Sequence, residues 1–222
     1  MSIRQTIWRT WLWGRWQLFQ GHRHNRLVVE QVRGMPILVL PGVMNPKLFR
    51  TGEFLAQTLN GQLIGSETAV LDMGTGTGIG ALAAARWAQR VVGVDINETA
   101  VRCARINVLL NQQEEKVTIH HGDLFAPVLG QRFDRILFNP PFFRGTPNGG
   151  FSTAWRANDT VERFAAGLAE QLTADGYALV ILSTDGDLPG FLQTFAANQL
   201  QTTIAAQRDM GNEILTVYRL SV

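Results

Sequence analysis

One cysteine, Cys103, stands in 222 residues. That excludes a disulfide framework and a thiolate metal cluster, and its place in the helical stretch Thr99–Leu110 reads as structural. The four histidines, His22, His24, His120 and His121, show no metal spacing with acidic partners. His120 and His121 adjoin a strand end, where they read as surface residues or as the lining of a nearby site. No apolar run reaches the length of about 18 residues that a membrane span needs. Arg4, Arg9 and Arg15 break every N-terminal apolar run, so no signal peptide is expected. Internal repeats and low-complexity tracts are missing too. Charged residues make up only 17% and hydrophobic ones 45%. These values exclude a disordered chain and predict a soluble, cytoplasmic globular protein without stable membrane insertion. The length suffices for one substantial core and a small extension.

Charge is distributed unevenly. Residues 1–35 hold six arginines and one glutamate, a net +5, while the rest hold 14 basic and 17 acidic residues, a net −3. The high pI is thus a property of the leader. Trp8, Trp11, Trp13 and Trp16 lie among those arginines, and Ile3, Ile7, Trp11 and Leu18 fall at helical spacing, with Gly14 weakening the helix by about 1 kcal/mol. Three roles compete for this segment: packing on the main domain or on a twin subunit in a homodimer, gripping nucleic acid, or lying in a membrane interface. Leu27–Val32 and Met35–Leu40 read as a hairpin turning at Arg33-Gly34, with Pro36 implying an edge. The reading divides the chain into an extension, 1–41, and a main domain, 42–222.

From Ala69 onward strands alternate with helices, as in a doubly wound sheet. Strands are expected at 69–72, 91–95, 117–120, 134–138 and 177–183, then a closing pair at 202–207 and 214–220. Helices are expected at 48–59, 81–88, 99–110, 160–172 and 191–200, with Asp175-Gly176 as a turn. The fold class is α/β, with a seven-stranded sheet ending in a β-hairpin.

Asn139-Pro140-Pro141-Phe142 follows the apolar run 135–138. Two prolines after an Asn continue neither a helix nor a central strand, so the chain turns stiffly at a strand end. The Asn139 side-chain oxygen and the Pro140 carbonyl form a pair of acceptors suited to a planar NH2 group. Phe142 can cover its flat face. An ordinary proline-rich turn is the plain alternative. Upstream, Asp72-Met73-Gly74-Thr75-Gly76-Thr77-Gly78 joins a strand to an Ala-rich helix, and the helix N-terminus offers free N–H groups. No Gly-Lys-Ser/Thr follows, so this is not a P-loop. The register also fails the Gly-x-Gly-x-x-Gly dinucleotide pattern, and Asp72 argues against a pyrophosphate. A carboxylate there suits an ammonium group, directly or through water. Asp95 ends the second strand, where a carboxylate can bind both ribose hydroxyls, and Asp123 ends the third, within reach of an adenine amino group. Each Asp alone reads equally as a turn or a helix cap. Together they describe a ligand with nucleoside and amino-acid ends.

In this order, these motifs resemble the class I S-adenosylmethionine-dependent methyltransferases, from about Gly42 to the C-terminus. The NPPF tetrad is similar to that of the branch that methylates planar amino nitrogens, and the overall look is nearest to the release-factor glutamine methyltransferases. The resemblance implies S-adenosylmethionine bound by Asp72, Gly74, Thr75, Gly76, Gly78, Asp95, Ile96, Asp123, Leu124 and Asn139. It implies catalysis at Asn139, Pro140, Pro141 and Phe142, with no metal. The glutamine methyltransferases carry a Thr-Glu-Leu or Asp-Thr segment before the first strand. Here the counterpart is Phe49–Leu55, in which Thr51 or Glu53 reaches towards the methionine end. The Gly-rich loop 143–159 offers Arg144, Trp155 and Arg156 for substrate contacts, or has no specific role. The implied substrate is a protein glutamine amide or a nucleic-acid base. A small-molecule N-methyltransferase, a cofactor-binding interaction protein without turnover and a nicotinamide oxidoreductase are the alternatives.

Overall fold

The computed structural model describes residues 26–141 and 159–222. The Arg/Trp segment, His22, His24, Phe142, Arg144, Trp155 and Arg156 lie outside them. Seven strands form one sheet: β3 (Ala69–Met73), β4 (Arg90–Asp95), β5 (Val117–His121), β6 (Phe133–Phe138), β7 (Leu172–Ser183), β8 (Gln201–Asp209) and β9 (Ile214–Ser221). Their order is β5-β4-β3-β6-β7-β9-β8. The first five are parallel, and β9 runs antiparallel to both its neighbours. The expected strand, helix and closing-hairpin pattern is thus present.

A strand buried on both faces reads as a near-continuous apolar run, and β3, buried at every position, is apolar but for Asp72. Alternation then sends side chains to two cores. Val70, Val91, Leu137 and Leu179 pack with α2 (Thr51–Thr58), α3 (Ile79–Ala85) and α4 (Glu98–Leu110). Leu71, Val92, Ile136 and Val180 pack on the opposite face with α5 (Thr160–Gln171) and α6 (Leu188–Ala197). There Phe164 stacks on Phe138 and Phe125, with centroids 4.3 and 5.5 Å away.

A second, two-stranded sheet precedes this one: β1 (Val28–Val32) and β2 (Met35–Val39) turn at Arg33 and Gly34, both at positive φ. Such two-residue turns match the twist of a hairpin. Val32, Ile37 and Val39 are buried in the core that contains α4. The fully buried amide of Asn107 joins three elements. It accepts from the Leu38 N–H (2.7 Å) and donates to the Leu38 carbonyl (2.7 Å) and to the Thr77 carbonyl (2.9 Å). It thus serves β2 as a strand partner and ties that strand to the glycine-rich loop.

Several boundaries differ from expectation by a few residues, among them α3, which spans Ile79–Ala85 and not 81–88. The helix expected over 48–59 is two helices, α1 (Pro46–Phe49) and α2, broken at Arg50 with φ 55. The helix expected from Phe191 begins at Leu188, because Asp187 caps it by accepting from Gly190 N–H and Pro189 fits the first turn. The turn at Asp175-Gly176 is a register shift inside a longer β7: Phe133 pairs with Leu172, whereas Arg135 pairs with Tyr177. Asp134 holds that irregularity, accepting from Ala69 N–H at 2.8 Å and from the Thr173 hydroxyl at 2.9 Å.

Replacing Asn107 with Ala leaves the half-buried Leu38 and the buried Thr77 backbone groups without this partner. The expected loss is roughly 2–3 kcal/mol, read from the urea midpoint. A loss below about 0.5 kcal/mol would show that water replaces the amide.

Candidate active site

The chain leaves β3 towards β4 on one side and returns to β6 on the other. A crevice therefore opens at the carboxyl ends of these strands. It holds a cavity of about 410 Å³. One wall is the glycine-rich loop, Gly74–Thr77, joined by Asp95, Ile96 and Asn97; Gly122, Asp123 and Leu124 follow. Met44, Pro46, Phe49 and Gly52 close another side with Phe138, Asn139 and Pro141.

The loop is shaped by carboxylates. Gly74, Gly76 and Gly78 take φ of 65, 56 and 82, a region that favours glycine. One oxygen of Asp72 accepts from the Thr75 hydroxyl (2.6 Å) and from the Ala81 N–H (2.8 Å). A Cβ on Gly80 would lie 2.5 Å from the other oxygen, so only glycine lets α3 sit on this carboxylate. Asp95 accepts from Gly76 N–H with one oxygen (2.8 Å) and from Asn97 N–H with the other (2.9 Å). Asn97, and not Asp95, caps α4 by accepting from Thr99 N–H. Burial raises the pKa of both carboxyl groups, that of Asp72 to about 6, against the pull of their hydrogen bonds.

The expected residues divide accordingly. Gly74, Thr75, Gly76, Asp95, Ile96, Asp123, Leu124, Asn139 and Pro141 line one cavity. Asp72, Gly78 and Pro140 do not line it. Asp72 lies beneath the loop, Gly78 packs against Ala104, and Pro140 is buried behind. His121 bonds the Ile96 carbonyl at 2.9 Å, and neither it nor His120 lines the cavity.

Asp123 is ion-paired with Arg163 of α5, itself in the cavity wall. Sequence reasoning missed Arg163. The available signal was its place one turn into the helix that follows the NPPF loop. Glu53 is taken up by Lys47 (2.6 Å) and Gln57 (3.3 Å) and does not line the cavity. Thr51 is 3% exposed. Asn139 donates from Nδ2 to its hydroxyl at 3.2 Å, while the buried Asn139 Oδ1 has no hydrogen-bond partner among the described residues.

Residues 34–208 match the model of the family described as "Methyltransferase small domain". The chain belongs to this family. It is 35% identical to the ribosomal protein uL3 glutamine methyltransferase of Bradyrhizobium diazoefficiens, over 65% of this chain and 52% of that one. It is 42% identical to the tRNA1(Val) (adenine(37)-N6)-methyltransferase of Porphyromonas gingivalis, over 34% of this chain and 32% of that one. The chain thus spans about half of the first and a third of the second. Among solved structures, the Thermus thermophilus 16S rRNA N2 G1207 methyltransferase, in complex with AdoMet and guanosine, superposes with a TM-score of 0.65 at 22% identity. That match covers 88% of this chain and 50% of that one. In this small-domain fold the cavity occupies the crevice between β3 and β6.

A carboxyl raised above its unfolded value of 3.8 stabilises the fold in its protonated form. The contribution of Asp72 is complete below that value and is lost as pH rises through about 6. Asp72→Asn keeps an oxygen for Thr75 and Ala81. Relative to the native chain it should gain up to about 3 kcal/mol between about pH 4 and pH 7. Urea titrations across that range give the difference, and a gap that ignores pH would mean that Asp72 stays ionised.

Proposed function

We propose that this methyltransferase small-domain protein transfers the methyl of S-adenosylmethionine to a planar amino nitrogen. The carrying observation is Asn139 Oδ1, a buried acceptor without a partner among the described residues, on a residue that lines the same cavity as Asp95 and Asp123. Leaving such an acceptor unpaired costs about 1–3 kcal/mol, which an incoming N–H offsets. The donor set fits the cofactor. About 410 Å³ is ample for a ligand of this size. The loop lies at the N-terminus of α3, Asp95 suits ribose hydroxyls, Ile96 offers an exposed apolar side chain, and Asp123 suits the adenine amine beside Arg163.

Bound there, S-adenosylmethionine would supply an electrophilic methyl group and leave as the thioether S-adenosylhomocysteine, and the methylated nitrogen would release one proton to solvent. The work of the chain is placement. Amide and aryl amino nitrogens are poor nucleophiles because their lone pairs are delocalised. Asn139 Oδ1 accepts one N–H; the Pro140 carbonyl is the second acceptor that the motif implies, although Pro140 does not line the described cavity. Both hold the nitrogen still and favour positive charge as it builds there. Phe142 is the expected cover for the flat face of the group.

A protein glutamine amide is the substrate this reading favours. The cationic side chains at or beside the described mouth are each paired with a carboxylate: Lys47 with Glu53, Arg50 with Glu213, and Arg163 with Asp123. That supports a neutral amide over a phosphate chain. A nucleic-acid base is the second reading, favoured by the Arg/Trp-rich leader and by the tRNA adenine methyltransferase likeness. The leader is the part of the chain suited to a macromolecular partner or to a twin subunit, and a cytoplasmic location agrees with either substrate.

Asn139→Ala is expected to retain cofactor affinity and to lose turnover by roughly 100–1,000-fold. Asp95→Ala is expected to weaken cofactor binding. Calorimetry with S-adenosylmethionine reads the affinities. Transfer of labelled methyl into cell extract, followed by protease or nuclease, reads the turnover and the substrate class. Equal loss of affinity and turnover in Asn139→Ala would falsify the role given to that residue. Nuclease-sensitive label would move the assignment to a base.

A further inference from the structure

An Asn side chain ends in a torsion with a broad, two-fold preference. Its oxygen and nitrogen differ little in size but oppositely in hydrogen-bonding sense. If Asn139 is to accept an N–H, something must keep its NH2 turned away, because a flipped amide would set a donor against a donor. One described neighbour is placed to do this. The Thr51 hydroxyl lies 3.2 Å from Asn139 Nδ2, and Thr51 is 3% exposed. Gly52 lies nearby: a Cβ built on it would stand 4.0 Å from Asn139 Nδ2. We propose that Thr51 is a positioning residue: a hydroxyl can accept from or donate to a side-chain amide, and here it accepts from Asn139 Nδ2, which holds the plane of the amide and leaves Oδ1 open to an N–H. This rests on the reading of Asn139 given above.

Thr51 is itself held in place from two directions. It is the first residue of α2, and the break before it is Arg50 at φ 55 and ψ −28, an uncommon conformation for a side chain with a Cβ. The Arg50 N–H bonds the Pro46 carbonyl at 3.1 Å, and its own carbonyl accepts from Phe54 N–H at 2.8 Å. Its guanidinium reaches the β8–β9 connection, donating to Asn212 Oδ1 and Glu213 Oε1, both at 3.0 Å. Glu213 in turn bonds the hydroxyl of Ser183 at the end of β7. The kink that delivers Thr51 to Asn139 is therefore braced by the sheet edge opposite the glycine-rich loop.

The test needs an isostere without the hydroxyl and a readout independent of turnover. Thr51→Val removes the acceptor at nearly equal volume, and Thr51→Ser restores it. In nitrogen-15 spectra the Asn139 side-chain amide is identified by its loss in Asn139→Ala. The proton donated to Thr51 should exchange with water on the order of tenfold faster in Thr51→Val than in the native protein, the factor of one ordinary hydrogen bond. In Thr51→Ser the native rate should return. Labelled-methyl transfer into cell extract at saturating S-adenosylmethionine should follow the same order, with cofactor affinity unchanged in all three proteins. Unchanged amide exchange in Thr51→Val overturns the proposal whether or not methyl transfer is detected. Altered exchange with unaltered transfer overturns it too, since the bond would then be structural only. Retained transfer in Asn139→Ala marks failure of the underlying reading instead.

Discussion

A carboxylate that never enters the cavity organises the site. One oxygen of Asp72 gathers the Thr75 hydroxyl and the Ala81 N–H, and so binds the end of β3, the middle of the loop and the first turn of α3 into one unit. The arrangement requires α3 to approach closely, which the missing side chain of Gly80 permits. It also requires a short helix of small residues, and all seven residues of α3 are buried. Burial keeps this carboxyl harder to ionise than usual. The cost is tolerable because the bonds it accepts come from groups that would otherwise be left unpaired at a loop and a helix start.

From that knot the rest of the wall follows by adjacency. Thr75 N–H bonds the Val94 carbonyl and Gly76 N–H bonds Asp95, so the loop is read directly onto the end of β4. The Gly122 N–H bonds the Asp95 carbonyl, which carries the same geometry to the end of β5. The three carboxylate-bearing strand ends are thus not independent ligand contacts. They are consecutive parts of one hydrogen-bonded rim, with Asp72 beneath it and Asp95 and Asp123 along it. Asn107 supports the loop from below through Thr77, and in doing so fixes the β1–β2 hairpin to the same rim.

This also explains what was legible in the sequence. The parallel strands are short apolar runs because both faces are buried, and the glycine spacing and terminal aspartates mark the rim, so fold and glycine-loop wall were readable from pattern alone. What was not readable depends on contacts between distant segments. The break at Arg50 carries no glycine or proline of its own. The Arg50 guanidinium pairs with Asn212 and Glu213, more than 160 positions away, a contact that no local pattern announces. Arg163 carries no motif either, and its place over Asp123 follows from how α5 packs. For Asp72, the expected ligand contact and the observed support role call for the same residue type, an acceptor at the end of β3, and composition cannot separate them.

The two sides of the cavity are consequently built on different logic. The glycine-loop side is local: each bond spans neighbouring strands of a parallel ladder, and the sheet determines it. The Asn139 side is assembled from α1, α2 and the β8–β9 turn, elements joined by side chains and not by a ladder. Arg50, 38% exposed on its side chain, and Glu213, 14%, make a bond that is only partly shielded from water. Partly exposed pairs of this kind are individually weak, so that wall is the easier of the two to reshape. One side is thus set by bonds along the parallel ladder and the other by side-chain ties between distant segments, a division visible in the bonds themselves. The tie between Thr51 and Asn139 lies where the two kinds of construction meet.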